Sequence, residues 1–277
     1  MIVDLHIHSL LSDGCYSFQR IVTEAYKRNL DMIAITDHDI IRDYSDETTL
    51  PIINGIEFNT DFPSKMHILG YGIKNIELLD EYTKCLVSDN EKVCIEVIRL
   101  LNNDGFDITY HDVMKYFNKD GVCNEYLTKK MIVRYLFYKG YIDNVHDGYS
   151  LLIGKGKKYY VPIKKINYLE CLHVIKRTGG VSILAHPFTL KYSDEDLFEL
   201  LKELKKHGLD GIEVVNGSNR DKKDLYLDYA NKLDLLTTFG SDFHTGSFDD
   251  IGVEVKEENI KKFIKKVGVS NVKHKWY

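Results

Sequence analysis

Short apolar runs rich in Ile and Val recur along the chain and alternate with stretches whose apolar positions return every three or four residues. The first pattern marks buried strands and the second amphipathic helices, so the alternation predicts βα units around a largely parallel sheet. Strands are expected at 2–8, 32–36, 52–58, 66–72, 181–185, 211–216 and 236–240, and helices at about 17–29, 77–103, 167–178, 194–207, 220–233 and 257–266. Ser17 can cap the first helix, and Asn103-Asp104-Gly105 can stop the long one. Residues 106–163 break the rhythm. They are rich in Tyr and Lys and carry amphipathic pieces such as YLTKKMIVRYLFYKG, so a helical insertion is expected there. The predicted organisation is one discontinuous α/β domain, 1–105 with 164–277, interrupted by a cap of residues 106–163.

Composition narrows the picture. A chain of 277 residues can bury a sizeable core, and its net charge of −5 lacks the broadly basic signature of a protein that grips extended duplex nucleic acid. The start, MIVDLHIHSL, has neither a basic leader nor a membrane-length apolar segment, which leads to the expectation of a soluble, cytoplasmic protein without a membrane partner. Five scattered cysteines without a C-x-x-C pair argue against a disulfide framework.

Chemistry enters at the ends of the strands. In VDLHIHSLLSDG, His6 and His8 share one strand face and Asp13 follows in the loop. Asp37 and His38 follow the second strand in TDHD, and Glu57 lies in GIEF. His186 stands in LAHP, and Asp242 and His244 in GSDFH. His67 opens HILGYG; if that run returns antiparallel to 52–58, it joins the same rim. In barrels of βα units, residues distant in sequence converge at the C-terminal ends of the strands. Six of the eleven histidines and the carboxylates Asp13, Glu57 and Asp242 meet this criterion.

Nine such groups would be costly to bury unpaired, and divalent metal ions are the natural compensation. Mixed imidazole and carboxylate ligation suits Mn, Zn or Fe. Three divalent ions against three carboxylates leave a net +3, suited to a phosphate and a hydroxide. Paired ions can lower the pKa of a bridging water and clamp the oxygens of an in-line displacement, so phosphate-ester hydrolysis is the reaction expected. Asp37 is expected to orient an imidazole from outside the ligand set, and Asp4 is given no role. His111, His146, His173, His207 and His274 fall outside the rim pattern.

In this order, HIHSLLSDG, AITDHD, GIEF, HILGYG, LAHP and GSDFH resemble the motifs of PHP (polymerase and histidinol phosphatase) proteins over nearly the whole chain. The resemblance implies a distorted, TIM-like (β/α)7 barrel with three divalent transition-metal ions. His6, His8, Glu57 and Asp242 would hold the first ion. Glu57 would bridge to a second held with His67 and His186, and Asp13, His38 and His244 would hold the third. Glu57, Asp242 and His244 are expected to be catalytic as well as ligating. NEKVCIEVIRLLNNDGFDIT and LLIGKGKKYYVP are similar to segments of the TrpH-like branch, which includes nucleotide phosphatases and exoribonucleases. That implies a small phosphorylated substrate, a 3',5'-bisphosphate or the 5' end of a short RNA, with histidinol phosphate the runner-up.

Arg134, Lys155 and Lys157 in the insertion, and Asn216, Asn219 and Arg220 after the 211–216 strand, are the candidate substrate contacts. The competing reading from another class is a noncatalytic, metal-stabilised module of the kind appended to polymerases. Failure of the metal-loaded protein to turn over any phosphomonoester would favour it.

Overall fold

The computed structural model describes residues 1–44, 48–118, 124–217 and 220–268. Asn219, Cys123 and His274 lie outside the described residues. The chain divides into two compact units, residues 1–82 with 165–277 and residues 83–164. No helix among the described residues is long and apolar enough to cross a membrane.

The first unit is a nearly closed barrel with helices outside. In chain order it comprises β1 (Ile2–Ile7), α1 (Phe18–Lys27), β2 (Met32–Ile35), β3 (Ile52–Asp61), β4 (His67–Tyr71) and the start of α2 (Ile76–Asn103). The second unit contributes α3 (Tyr110–Phe117), α4 (Lys129–Tyr138) and α5 (Val145–Asp147), after which a π-helical turn covers Gly148–Ile153. The first unit then resumes with β5 (Ile166–Asn167), α6 (Tyr168–Arg177), β6 (Val181–Leu184), α7 (Asp194–Lys206), β7 (Gly211–Val215), α8 (Lys223–Lys232), β8 (Leu236–Phe239), β9 (Val253–Glu254) and α9 (Glu257–Val267). The expected strands all form. The two-residue strands β5 and β9 are additions too short to leave a hydrophobic pattern in the sequence.

The sheet runs β8-β7-β6-β4-β3-β2-β1-β9. Pairs β1/β2, β2/β3, β6/β7 and β7/β8 are parallel, whereas β4 is antiparallel to both β3 and β6. Between β8 and β1 the circuit is completed by chain beyond the strands. Ile7 bridges Phe243 in parallel, and the His8 amide donates to the Phe243 carbonyl at 2.9 Å. Gly240 permits this approach, because a Cβ there would sit 2.4 Å from His6 Cβ.

Helix ends follow local chemistry. Ser17 accepts from the Arg20 amide, and Phe18, Ile21, Val22 and Ala25 bury one stripe of α1. Ser193 and Asn167 cap α7 and α6 in the same way. The strands are buried on both faces and mostly apolar, with Leu5, Met32, Ala34, Ile56, Leu69, Ile183, Ile212 and Phe239 fully buried. The second unit has its own core. Cys94, Val97, Ile98 and Leu101 of α2 pack with Val113 of α3, Ile132 and Leu136 of α4, and Ile153. That packing explains why the unit begins inside α2 at residue 83.

Candidate metal centre

His6 lies on β1 and His8 just past its end, both fully buried. The loop beyond folds back at Gly14, where a Cβ would sit 2.1 Å from the His8 carbonyl oxygen, and so returns Asp13 to the His8 ring. Asp37 holds this loop. It accepts from the Ser9 amide at 2.8 Å, the Ser9 hydroxyl at 2.6 Å and the Ser12 hydroxyl. Asp37 therefore anchors a loop instead of orienting an imidazole, because the two serine hydroxyls of HSLLS reach it. His38 follows β2 and forms a parallel bridge with Glu57 on β3. The reversal of β4 sets His67 opposite Asn59, two residues beyond Glu57. His186, just past β6, adopts φ 26°, and Asp242, past β8, φ 58°. Both lie in the left-handed region that non-glycine residues rarely occupy, a strain the surrounding contacts must hold.

Glu57, fully buried, is the hub. Its Oε1 accepts from His186 Nε2 at 2.8 Å and His67 Nδ1 at 2.9 Å. Its Oε2 faces His8 Nε2 at 3.2 Å, His38 Nδ1 at 3.2 Å and His6 Nε2 at 3.4 Å. Asp242 Oδ1 stands 3.3 Å from both His6 Nε2 and His8 Nε2. On the outer side, His244 Nε2 lies 3.1 Å and His8 Nδ1 3.5 Å from Asp13 Oδ1. His244 donates from Nδ1 to the Asp242 carbonyl at 2.7 Å, which leaves Nε2 as its lone-pair atom. Exposure is graded. The side chains of His6 and Glu57 are sealed, whereas those of Asp13, His38, Asp242 and His244 are between a fifth and a third exposed.

The donors suit a divalent cation. His6 Nε2, both ring nitrogens of His8, His38 Nδ1, Glu57 Oε2 and Asp242 Oδ1 are buried with no hydrogen-bond partner among the described residues. Orphaned buried polar atoms are costly, and those converging here are the N and O donors that borderline transition metals take. Three sets place their donor atoms within 4.8 Å of one another: His6, His8, Glu57 and Asp242; His8, Asp13, His38 and His244; and His38, Glu57 and His67.

Electrostatics follow the same geometry. Burial alone would pull the His8 imidazole down, but the Asp242 and Glu57 carboxylates beside it and the charge of Asp13 outweigh burial, and its pKa is pushed up to about 10. Burial lowers His67 to about 3 against the attraction of Glu57. Burial would raise Glu57, yet the charges of His67, His38 and His6 hold it well below the usual carboxylate range.

One participant escaped the sequence reading. Glu213, in the middle of β7 and fully buried, accepts from His6 Nδ1 at 2.8 Å and from the His186 amide at 2.6 Å. The available signal was a lone carboxylate in GIEVV, a strand buried on both faces, where an acid requires partners. Asp4, also fully buried, accepts from the amides of His6, Ser241 and Gly252, and so ties β1 to the chain beyond β8. Among the candidate substrate contacts, Asn216 is buried, with its side-chain amide 3.4 Å from Glu213. Arg220 opens a 3-10 turn ahead of α8. Arg134 on α4 and the exposed Lys155 and Lys157 belong to the second unit.

Comparison with known proteins agrees with this geometry. The chain is 27% identical over 252 residues to a 5'-3' exoribonuclease of Haemophilus influenzae, covering 87% of this chain and 89% of that protein. It is 24% identical over 251 residues to a 3',5'-nucleoside bisphosphate phosphatase of Chromobacterium violaceum, covering 87% of each. A solved structure from Bifidobacterium adolescentis, assigned to the metal-dependent phosphoesterases, superposes with a TM-score of 0.79 at 26% identity, over 95% of this chain and 96% of that one. The family model described as the PHP domain matches residues 4–170, well over half of the chain, and the protein belongs to that family.

Proposed function

We infer that this protein is a metal-dependent hydrolase of phosphate esters acting at the centre built around Glu57. The observation that carries the reading is the division of labour within that carboxylate: Oε1 serves His67 and His186, while Oε2 faces His6, His8 and His38. A residue placed in this way can bridge two cations, and family membership and the phosphatase and nuclease relatives support the same chemistry. Divalent ions, when bound, lower the pKa of a water and clamp phosphoryl oxygens. The ligand sets proposed are His6, His8, Glu57 and Asp242; Glu57, His67 and His186; and Asp13, His38 and His244.

The chain's own groups do the positioning. Glu57 fixes the spacing between the first two sets, and Asp242 and His244, joined by the 2.7 Å bond, order the more open side where a phosphate enters. His38 and His244, each about a fifth exposed, stand on that open side with Asp13 and would hold the third ion there.

For substrate we favour a nucleotide, a 3',5'-bisphosphate or the 5' end of a short RNA. The similarity to the two relatives above supports this choice, and so does charge. Residues 83–164 carry 13 Lys and Arg against 10 Asp and Glu, whereas the rest of the chain carries 24 against 32. Arg134, Lys155 and Lys157 in the positive segment, with Asn216, Asn219 and Arg220 after β7, are the groups proposed to contact it. The test compares kcat/KM for adenosine 3',5'-bisphosphate, short 5'-phosphorylated RNA and histidinol phosphate with one metal-loaded preparation. A nucleotide preference is expected. More than about tenfold preference for histidinol phosphate, roughly 1.4 kcal/mol in the transition state, would overturn the nucleotide assignment.

A further inference from the structure

The metal-centre reading leaves Glu213 without a task. A carboxylate with no exposed surface, lying among Ile212, Val214 and the barrel interior, persists only where its oxygens are satisfied. Among the described residues its ion-pair partner is His6, whose Nδ1 lies 2.8 Å from Oε1. Oε2 takes the His186 amide at 2.6 Å, with the Asn216 amide at 3.4 Å. The register explains the reach: Leu184 pairs with Ile212, so Glu213 is level with the residues that turn the chain into His186. On the other side it reaches past β8 to β1.

We propose that Glu213 is a positioning residue that fixes the metal-binding imidazoles of two different ligand sets relative to one another. This inference rests on the metal-centre reading above. Through Oε1 it requires the proton of His6 on Nδ1, which turns the Nε2 lone pair toward Glu57 and Asp242, 3.4 and 3.3 Å away. Through Oε2 it holds the His186 backbone at φ 26°, the conformation that aims His186 Nε2 at the opposite oxygen of Glu57. One carboxylate thereby sets both the tautomer of one ligand and the backbone of another.

Glutamine cannot do both. It has one acceptor oxygen, and its amide would confront either the His6 N–H or the His186 N–H with another donor. Three measurements test the assignment. Nitrogen-15 NMR of the metal-free wild-type protein, at a pH high enough for His6 to have lost its first proton, should find that neutral imidazole protonated on Nδ1, and a neutral form protonated on Nε2 instead would overturn the proposal without any variant. Chelator competition should find Mn affinity in Glu213→Gln weakened by about 10- to 100-fold, as for other outer partners of metal ligands. Glu213→Asp, which keeps the charge but is too short to span both contacts, should also bind Mn more weakly than wild type. If both variants fold cooperatively and bind Mn like wild type, Glu213 has no positioning role. A wild-type protein that takes up no Mn would overturn the metal centre itself and this inference with it.

Discussion

At the scale of single residues, Glu57 and His8 carry the sharpest consequences. Glu57→Gln removes a negative charge and the proposed bridge together, so its effect should exceed that of losing a terminal ligand such as His186. We expect kcat/KM to fall by more than about 100-fold, since even outer partners of metal ligands are worth 10- to 100-fold. Normal turnover and metal content in that variant would count against the bridge. His8, with its pKa pushed from 6.5 to about 10 by surrounding carboxylates, is protonated at neutral pH in the metal-free chain. A ligating imidazole must be neutral, so metal uptake at pH 7 should release protons and tighten as the pH rises toward 10. In the metal-free protein the sign for stability is opposite. The contribution of His8 is fully present below 6.5 and is lost as the pH rises through about 10. Calorimetric titration of metal in buffers of different ionisation enthalpy reads the proton count, and uptake with no proton release would contradict this assignment.

At the scale of elements, the site depends on how closely the chain after β8 approaches β1. Gly240 is the hinge of that approach, since a Cβ would meet His6 Cβ at 2.4 Å and the His6 amide nitrogen at 2.7 Å. Gly240→Ala should therefore cost about 1–3 kcal/mol, as overpacking in a close-packed interior does, and should weaken metal binding by parting His6 from Asp242. Urea unfolding and metal titration of the variant check this, and wild-type values in both would show that the seam tolerates a methyl group. The reversed strand β4 belongs to the same scale. Its pattern identified a strand, but only the pairing of Asn59 with His67 brings that imidazole to the oxygens of Glu57.

At the scale of the whole molecule, closing the barrel brings nine candidate donor residues together from six separated stretches of chain, and the buried orphaned nitrogens and oxygens among them lead us to expect that bound cations stabilise the assembly. Elemental analysis should find close to three transition-metal ions per chain, and protein equilibrated with Mn, Zn or Fe that retains none would sink the centre. Removing the ions with a chelator should lower the melting temperature. A ligand at a hundred times its dissociation constant contributes about 2.7 kcal/mol to the folded state, and an unchanged melting curve would show that the fold does not rely on them.

The sequence by itself determined the βα rhythm and the strand positions and marked nine candidate donors, because hydrophobic period and residue type are local properties of the chain; it put the interruption after the long helix, whereas the second unit begins inside that helix at residue 83. His6 and His8, two apart on an apolar run, and Asp242 and His244 were legible for that reason. Tertiary structure alone decided the rest. Asp37 turned to Ser9 and Ser12, α2 gave its second half to a separate core, and Glu213, hidden in an apolar strand, met His6 and the His186 amide across the barrel. These are contacts between residues as much as 207 positions apart. No local pattern encodes which oxygen faces which nitrogen until the sheet has closed.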